Sequence, residues 1–287
     1  MPTDGANIST QAGPVIRVAD LVKTYEDRAV LDGVSLDIAA GETVVIMGGS
    51  GCGKSTLLRL MIGTIAPDGG RVELFGRDLA QMSEAELEAA RKRFGVLFQS
   101  AALFNSMTVG ENVALPLREH TDLDEETIEI MVRIKLELVG MRDAAALIPS
   151  EISGGMKKRA GLARAIALDP EVLFYDEPSA GLDPVTSAEI DQLMIDLSRK
   201  LGVTSVVVTH EMDSAFRLAD RMALLEAGRL LKVAPRSEFE AIRDGAETGD
   251  ATIELIRQFL RGESGGPTSR RRQATGYHKE IMSAAGA

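Results

Sequence analysis

The spacing of hydrophobic and polar positions changes period several times along the chain, and each change marks an element. Over 14–38, stretches such as Val15-Ile16-Arg17-Val18 and Val34-Ser35-Leu36-Asp37-Ile38 alternate apolar with polar residues, as half-buried antiparallel strands do. Thr43–Met47 is a continuous apolar run ending in glycines, which predicts a fully buried strand feeding a turn. Over 54–62 the period becomes helical and brings Leu57, Leu58, Met61 and Ile62 to one face, with Gly63 and Pro67 as stop signals. Ser83 and Glu86 have the spacing of a capping box, so a helix starts there. The run 94–98 reads as another buried strand, and 100–168 as mostly helical with a polar break over 119–126. Two more buried strands are expected over 172–175 and 205–208, and a hairpin over 222–233, broken at Ala227-Gly228. This alternation predicts an α/β fold: a parallel sheet covered on both faces, with a helical subdomain inserted at about 100–168. The division expected is a loose leader over 1–13, one domain over 14–261 and a tail over 262–287. The tail is rich in Gly, Ser, Pro and Arg and is expected to lie outside the core fold.

Composition removes several alternatives. The chain has 287 residues, 45% hydrophobic and 26% charged, which suits a globular protein with a sizeable core. A net charge of -11 argues against a nucleic-acid partner, since phosphate backbones attract basic surfaces. One cysteine precludes an internal disulfide and fits a reducing compartment. No apolar run approaches the roughly 20 residues of a membrane helix. The start of the chain lacks the basic and hydrophobic segments of a secretory signal. A cytosolic protein is expected, held by something else if it works at a membrane.

The chemistry concentrates in two places. Gly48-Gly49-Ser50-Gly51-Cys52-Gly53-Lys54-Ser55 fits the pattern G-x-x-x-x-G-K-[ST], between a predicted buried strand and a predicted helix. Its glycines let backbone amides converge on phosphate oxygens, and the following helix aims its positive end at the anion. Lys54 is then placed for the β- and γ-phosphates of a nucleotide and Ser55 for Mg²⁺. A ligand-free glycine turn is the bland alternative, and the flanking strand and helix argue against it. Cys52 invites a redox role but more simply fills a variable loop position. The second place is the end of the 172–175 strand, where Asp176 and Glu177 stand together. Asp176 suits a water-mediated hold on Mg²⁺, and Glu177 suits polarising an attacking water. Adjacent carboxylates need compensating charge, which Mg²⁺ and Lys54 supply.

Further motifs fall in the order of the ABC-transporter ATPases, and over about 15–235 the chain resembles that family. The resemblance implies an ABC nucleotide-binding domain: a RecA-like P-loop core, an antiparallel β subdomain and an inserted helical subdomain. Gln99 matches the glutamine that senses Mg²⁺ and the membrane partner. Ser153-Gly154-Gly155-Met156 resembles the family signature, Ser179-Ala180-Gly181-Leu182-Asp183 the D-loop, and His210 the switch histidine. Tyr25 matches the aromatic that stacks on adenine. The implied nucleotide contacts are Tyr25, Gly48, Gly49, Ser50, Gly51, Cys52, Gly53, Lys54, Ser55, Thr56, Gln99, Ser153, Gly154, Gly155 and Asp183. Glu177, His210 and Lys54 carry the implied hydrolysis of ATP, and Ser55, Gln99 and Asp176 the implied Mg²⁺ site. In the family two copies pair head to tail, and each signature closes on the other copy's nucleotide. Met156 departs from the family's usual glutamine, whose amide hydrogen bonds a thioether cannot make. His120 and His278 match no motif and read as surface residues.

Met156, the run Leu97-Phe98-Gln99-Ser100-Ala101-Ala102-Leu103-Phe104 and the run from Asn112 to Thr121 resemble the ATPases of MCE-associated phospholipid transport systems. That resemblance implies a second copy of the chain, an integral-membrane permease of MlaE type and, through it, an MCE-domain lipid-binding protein. The chain would be peripheral at the cytoplasmic face of the inner membrane, energising phospholipid transport across the bacterial envelope or, alternatively, an Mce-type or other import of a different hydrophobic substrate. A translation-type ATPase would need two such units in one chain. A DNA-repair ATPase would separate Lys54 from Asp176 by a long coiled coil, whereas here they stand about 120 residues apart. A non-catalytic scaffold is disfavoured by Lys54, Glu177 and His210. In the tail, Arg270-Arg271-Arg272 and Tyr277 suit a solvated end, a contact with anionic lipid heads, or a reach across the dimer, the last being preferred.

Overall fold

The computed structural model describes residues 13–246 and 249–263. The tail residues Arg270, Arg271, Arg272, Tyr277 and His278 lie outside the described residues, as do 1–12 of the leader.

Strand β1 (Ile16–Tyr25) pairs antiparallel with β2 (Arg28–Ile38), and β3 (Thr43–Met47) then leads into helix α1 (Lys54–Met61). Next come β4 (Gly69–Leu74), β5 (Arg77–Asp78), α2 (Glu84–Arg91) and β6 (Phe94–Leu97). Helices α3 (Val109–His120), α4 (Glu125–Leu138) and α5 (Gly154–Ala165) follow as one packed group. The chain returns through β7 (Val172–Asp176), α6 (Pro184–Leu201), β8 (Thr204–Thr209), α7 (Met212–Leu218), β9 (Arg221–Glu226) and β10 (Arg229–Pro235). Helices α8 (Arg236–Asp244) and α9 (Ala251–Arg261) complete it.

The strands form two sheets, an antiparallel one in the order β2-β1-β4-β5 and a six-stranded one in the order β10-β9-β3-β8-β7-β6. In the larger sheet only β10 runs antiparallel to its neighbour. Its central strands read as unbroken apolar runs because both faces are covered. Along β3, Val44 and Ile46 join the core shared with the antiparallel sheet and α1, while Val45 and Met47 join the core on the other face. Strand β7 splits the same way, with Val172 and Phe174 on one side and Leu173 and Tyr175 on the other. Each such fully buried side chain contributes about 1.5–3 kcal/mol.

Helix starts are sorted by charge. Helices α2 and α3 open on capping boxes, Ser83 with Glu86 and Thr108 with Glu111, and α4 carries Glu125 and Glu126 in its first turn. Carboxylates there offset the positive end of the helix dipole. Helices α1 and α5 carry no acidic residue in the first turn, so their positive ends are left for another anion.

Register decides where the chemistry meets. Met47 of β3 pairs with Thr209 of β8, and Asp176 of β7 pairs with Val208 of β8. Three neighbouring parallel strands therefore end side by side, and the loops that follow them leave the same edge of the sheet. That edge, beyond the carboxyl ends of the strands, is where open α/β sheets hold their ligands.

Candidate nucleotide-binding and hydrolytic site

The loop after β3 is built by close approaches that only glycine permits. A Cβ on Gly48 would stand 2.2 Å from the Leu225 carbonyl oxygen of β9 and 2.7 Å from Cys52 Sγ. Gly53 caps α1 at φ +112, and a Cβ there would meet Val30 O at 2.8 Å and Leu31 Cδ2 at 2.7 Å. No side chain caps α1, so the amides of its first turn could meet an anion. Lys54 is buried and folded back over the loop, donating from Nζ to Gly48 O at 2.8 Å and Gly49 O at 3.1 Å. Cys52 is buried within the loop, and burial pushes its thiol above the usual range, which suits a packing role better than a redox one.

The loops after β7 and β8 complete the cluster. Ser55 Oγ donates to Asp176 Oδ1 at 3.1 Å. Burial raises the Asp176 carboxyl above its ordinary value; the Ser55 hydrogen bond opposes the rise, and the adjoining Glu177 charge adds to it. A cation at Ser55 and Asp176 would remove that penalty, and a hydroxyl beside a carboxylate is the hard-oxygen donor pair that Mg²⁺ takes. Among the described residues no group of three or more His, Cys, Asp or Glu side chains could hold a metal ion, so Ser55 and Asp176 would be only part of such a site.

Glu177 is buried, and its carboxylate joins the other groups. Oε1 stands 4.0 Å from Lys54 Nζ, while Oε2 accepts from His210 Nδ1 at 2.9 Å and from the His210 backbone N–H at 3.3 Å. Its backbone is left-handed at φ 50, a conformation that costs a non-glycine residue about 1–3 kcal/mol and persists where surroundings over-determine it. The arrangement puts a carboxylate, a lysine and a histidine around the mouth of a phosphate loop. A carboxylate so placed can accept a proton from water, and the histidine fixes its orientation.

The remaining residues fall into a second group. Ser153 caps α5, its Oγ accepting from Met156 N at 3.3 Å. A Cβ on Gly155 would be 2.6 Å from Thr186 Cγ2 and one on Gly154 3.3 Å from Leu182 Cδ2, so this helix start lies against the start of α6 and the residues before it. Asp183 is engaged as the cap of α6, accepting from Val185 N at 3.0 Å and Thr186 N at 3.1 Å, and the Thr186 hydroxyl helps hold its carboxyl below the usual range. Met156 packs on the core beneath it, the environment expected of a thioether. Gln99 is exposed after β6. Tyr25, 46% exposed, ends β1 on the hairpin whose Val30 and Leu31 press on Gly53.

Lys158 belongs to none of the motifs that the sequence displays. It is buried on α5 and donates to Gln99 O at 2.6 Å and Glu177 O at 3.1 Å. The available signal was helical spacing, since Lys158 shares a face with the buried Gly155 and Leu162.

Comparison with known proteins agrees with this geometry. Residues 31–180 match the ABC transporter family. The chain is 41% identical to the intermembrane phospholipid transport system ATP-binding protein MlaF of Escherichia coli, over 93% of this chain and 96% of that protein. It is 42% identical to a probable ribonucleotide transport ATP-binding protein, mkl, of Mycobacterium leprae, over 89% of this chain and 71% of that protein. Among solved structures, the dimeric, post-hydrolysis, ADP- and phosphate-bound cassette MJ0796 superposes with a TM-score of 0.71 at 30% identity, covering 77% of this chain and 98% of that one.

Proposed function

Because this chain belongs to the ABC transporter family, and so to proteins that bind and hydrolyse ATP, we propose that it energises phospholipid transport between membranes. The observation that carries the ATPase reading is the meeting of Lys54, Ser55, Asp176, Glu177 and His210 at the ends of neighbouring parallel strands. Lys54 and the loop amides bind the β- and γ-phosphates, and Tyr25 takes the adenine face. Ser55 and Asp176, with Gln99, hold Mg²⁺, which neutralises phosphate charge when bound. Glu177 takes the proton of the attacking water while His210 holds it in place.

The site is finished by a second copy. Helix α5 is a second anion-ready helix start, and one chain cannot easily turn α1 and α5 onto the same γ-phosphate. Ser153, Gly154 and Gly155 of each copy close on the other's nucleotide, so ATP joins the two and hydrolysis releases them. Among the described residues no helix is long and apolar enough to cross a membrane. A separate permease of MlaE type, linked to an MCE-domain lipid-binding protein, supplies the path and holds the chain at the inner membrane's cytoplasmic face. Phe98, next to Gln99, and Phe104, further along the same loop, are 40% and 52% exposed and suit that contact. The phospholipid assignment rests on similarity along nearly the whole chain to MlaF. The name of the mycobacterial relative points to another cargo, which would pass through the permease without touching this chain.

Two measurements test the reading. Glu177→Gln is expected to retain ATP binding, accumulate the ATP-bound dimer and lower turnover by about 10²–10⁴-fold; wild-type turnover would remove Glu177 from its role. Isolation of the native assembly, with mass spectrometry of partners and lipids, is expected to return a permease, an MCE-domain protein and phospholipid. A small-solute binding protein in their place would overturn the transport assignment.

A further inference from the structure

The roles above leave unused a buried cation that borders the site, Lys158. Lys158, in the second turn of α5, spends its ammonium on two main-chain carbonyls, Gln99 O at 2.6 Å and Glu177 O at 3.1 Å. These carbonyls belong to two different loops, one after β6 and one after β7. We infer that Lys158 is a positioning residue for hydrolysis: by bonding both carbonyls at once it ties helix α5, the Gln99 loop and the Glu177 backbone into one body. The inference rests on the reading of Glu177 as general base.

The left-handed backbone of Glu177 makes the link consequential. Its N–H donates to Val208 O at 2.9 Å, and its carbonyl accepts from Ala180 N at 3.2 Å and from Lys158. A residue in this conformation relaxes when its restraints are removed, and relaxation here turns the carboxylate away from Lys54 and His210. Lys158 is the restraint that comes from outside the strand ends. Burial lowers its pKa, and the facing charges of Glu177, Glu211 and Asp176 favour its protonated form. The Gln99 loop is held in the same manner from nearly two helical turns further along. Arg164 donates to Ala101 O and Ala102 O, both at 2.8 Å, and both alanines have positive φ. Helix α5 thus grips two strained segments through cations aimed at carbonyls. Its first turn faces the other copy's nucleotide in the reading above, so a shift of that end is delivered to Glu177 through a single side chain.

The test uses the full chain in its transporter assembly, comparing Lys158→Met, Lys158→Arg, Glu177→Gln and the Lys158→Met/Glu177→Gln double variant. Lys158→Met is expected to lower kcat for ATP hydrolysis about tenfold or more while ATP affinity stays within about threefold, and Lys158→Arg, which keeps donors at that depth, to recover most of the loss. In the Glu177→Gln background Lys158→Met is expected to add almost nothing, because both act on one step. Unchanged kcat, an equal loss of affinity, no recovery by Arg, or fully multiplicative effects would overturn the inference. Should the Met chain not fold, Lys158→Gln, a shorter neutral donor, must give the same selective fall in kcat. If Glu177→Gln itself turns over normally, the general-base reading fails; if only Lys158→Met does, the positioning inference fails alone.

Discussion

Helices α1 and α5 both begin in glycine-rich sequence and both lack acidic residues in the first turn, yet their glycines serve different ends. At α1, Gly48 and Gly53 let the loop settle against backbone and side chains of β9 and β2, and no side chain takes the helix amides. At α5, Ser153 already takes one amide, and Gly154 and Gly155 clear space for Leu182, just before α6, and Thr186, in its first turn. The first is a cradle completed by its own chain. The second is a helix start fitted against the first turn of α6. Glycine content alone does not distinguish them; what presses on the missing Cβ does.

Gly48→Ala should break the comparison most severely. The nearest atom is a β9 carbonyl oxygen in a paired strand, which cannot yield, so a stability loss of about 3 kcal/mol or more is expected, with loss of ATP binding, read by thermal melting and nucleotide titration. Gly155→Ala meets only a threonine methyl, although rotating it away disturbs the Thr186 bond to Asp183. The expected result is a loss of about 1–3 kcal/mol, ATP binding retained by the single chain, and weakened dimerisation and turnover.

Asp176→Asn sharpens the cradle side. The folded state raises the Asp176 carboxyl above its unfolded value, so the folded chain holds that proton more tightly. Stability from this group is therefore fully present below the unfolded value and lost as pH rises through the folded one, leaving a penalty on the ionised native form at neutral pH. Asn removes the penalty while keeping an acceptor for Ser55. The nucleotide-free variant should melt about 2–4 °C higher near neutrality and no higher in acid, while Mg²⁺-dependent hydrolysis is lost. The smallest effect is expected from Met156→Gln: since the half-buried Met156 side chain packs against the core, turnover should stay within about threefold.

The sequence was most legible where one periodicity acted alone. Strand β3 has the bounds its apolar run predicts, and Ser83 with Glu86 forms the predicted capping box. The hairpin of β9 and β10 turns at the predicted Ala227-Gly228. Strand β4 was not legible, because Gly69-Gly70 reads as a loop and only Val72 and Leu74 are buried. The structure explains those glycines by proximity: a Cβ on Gly70 would lie 2.3 Å from Asp20 O, where the β1 register slips. In the site, motif spacing singled out Lys54, Ser55, Asp176, Glu177 and His210, which the fold brings together, because such patterns need particular side chains at fixed offsets. It did not identify Lys158, whose partners are main-chain carbonyls and leave no mark on the residues that own them.

Cys52, the chain's one cysteine, lies at the heart of the phosphate loop, buried, with burial holding its thiol in the protonated form. A thiol reagent reaches it only when the loop opens. Its alkylation rate therefore counts openings in the unmodified protein, with no added label, and a bound nucleotide slows that rate by the factor with which it favours the closed loop. A side chain that packs inside the loop thus serves as a clock for that loop's motion.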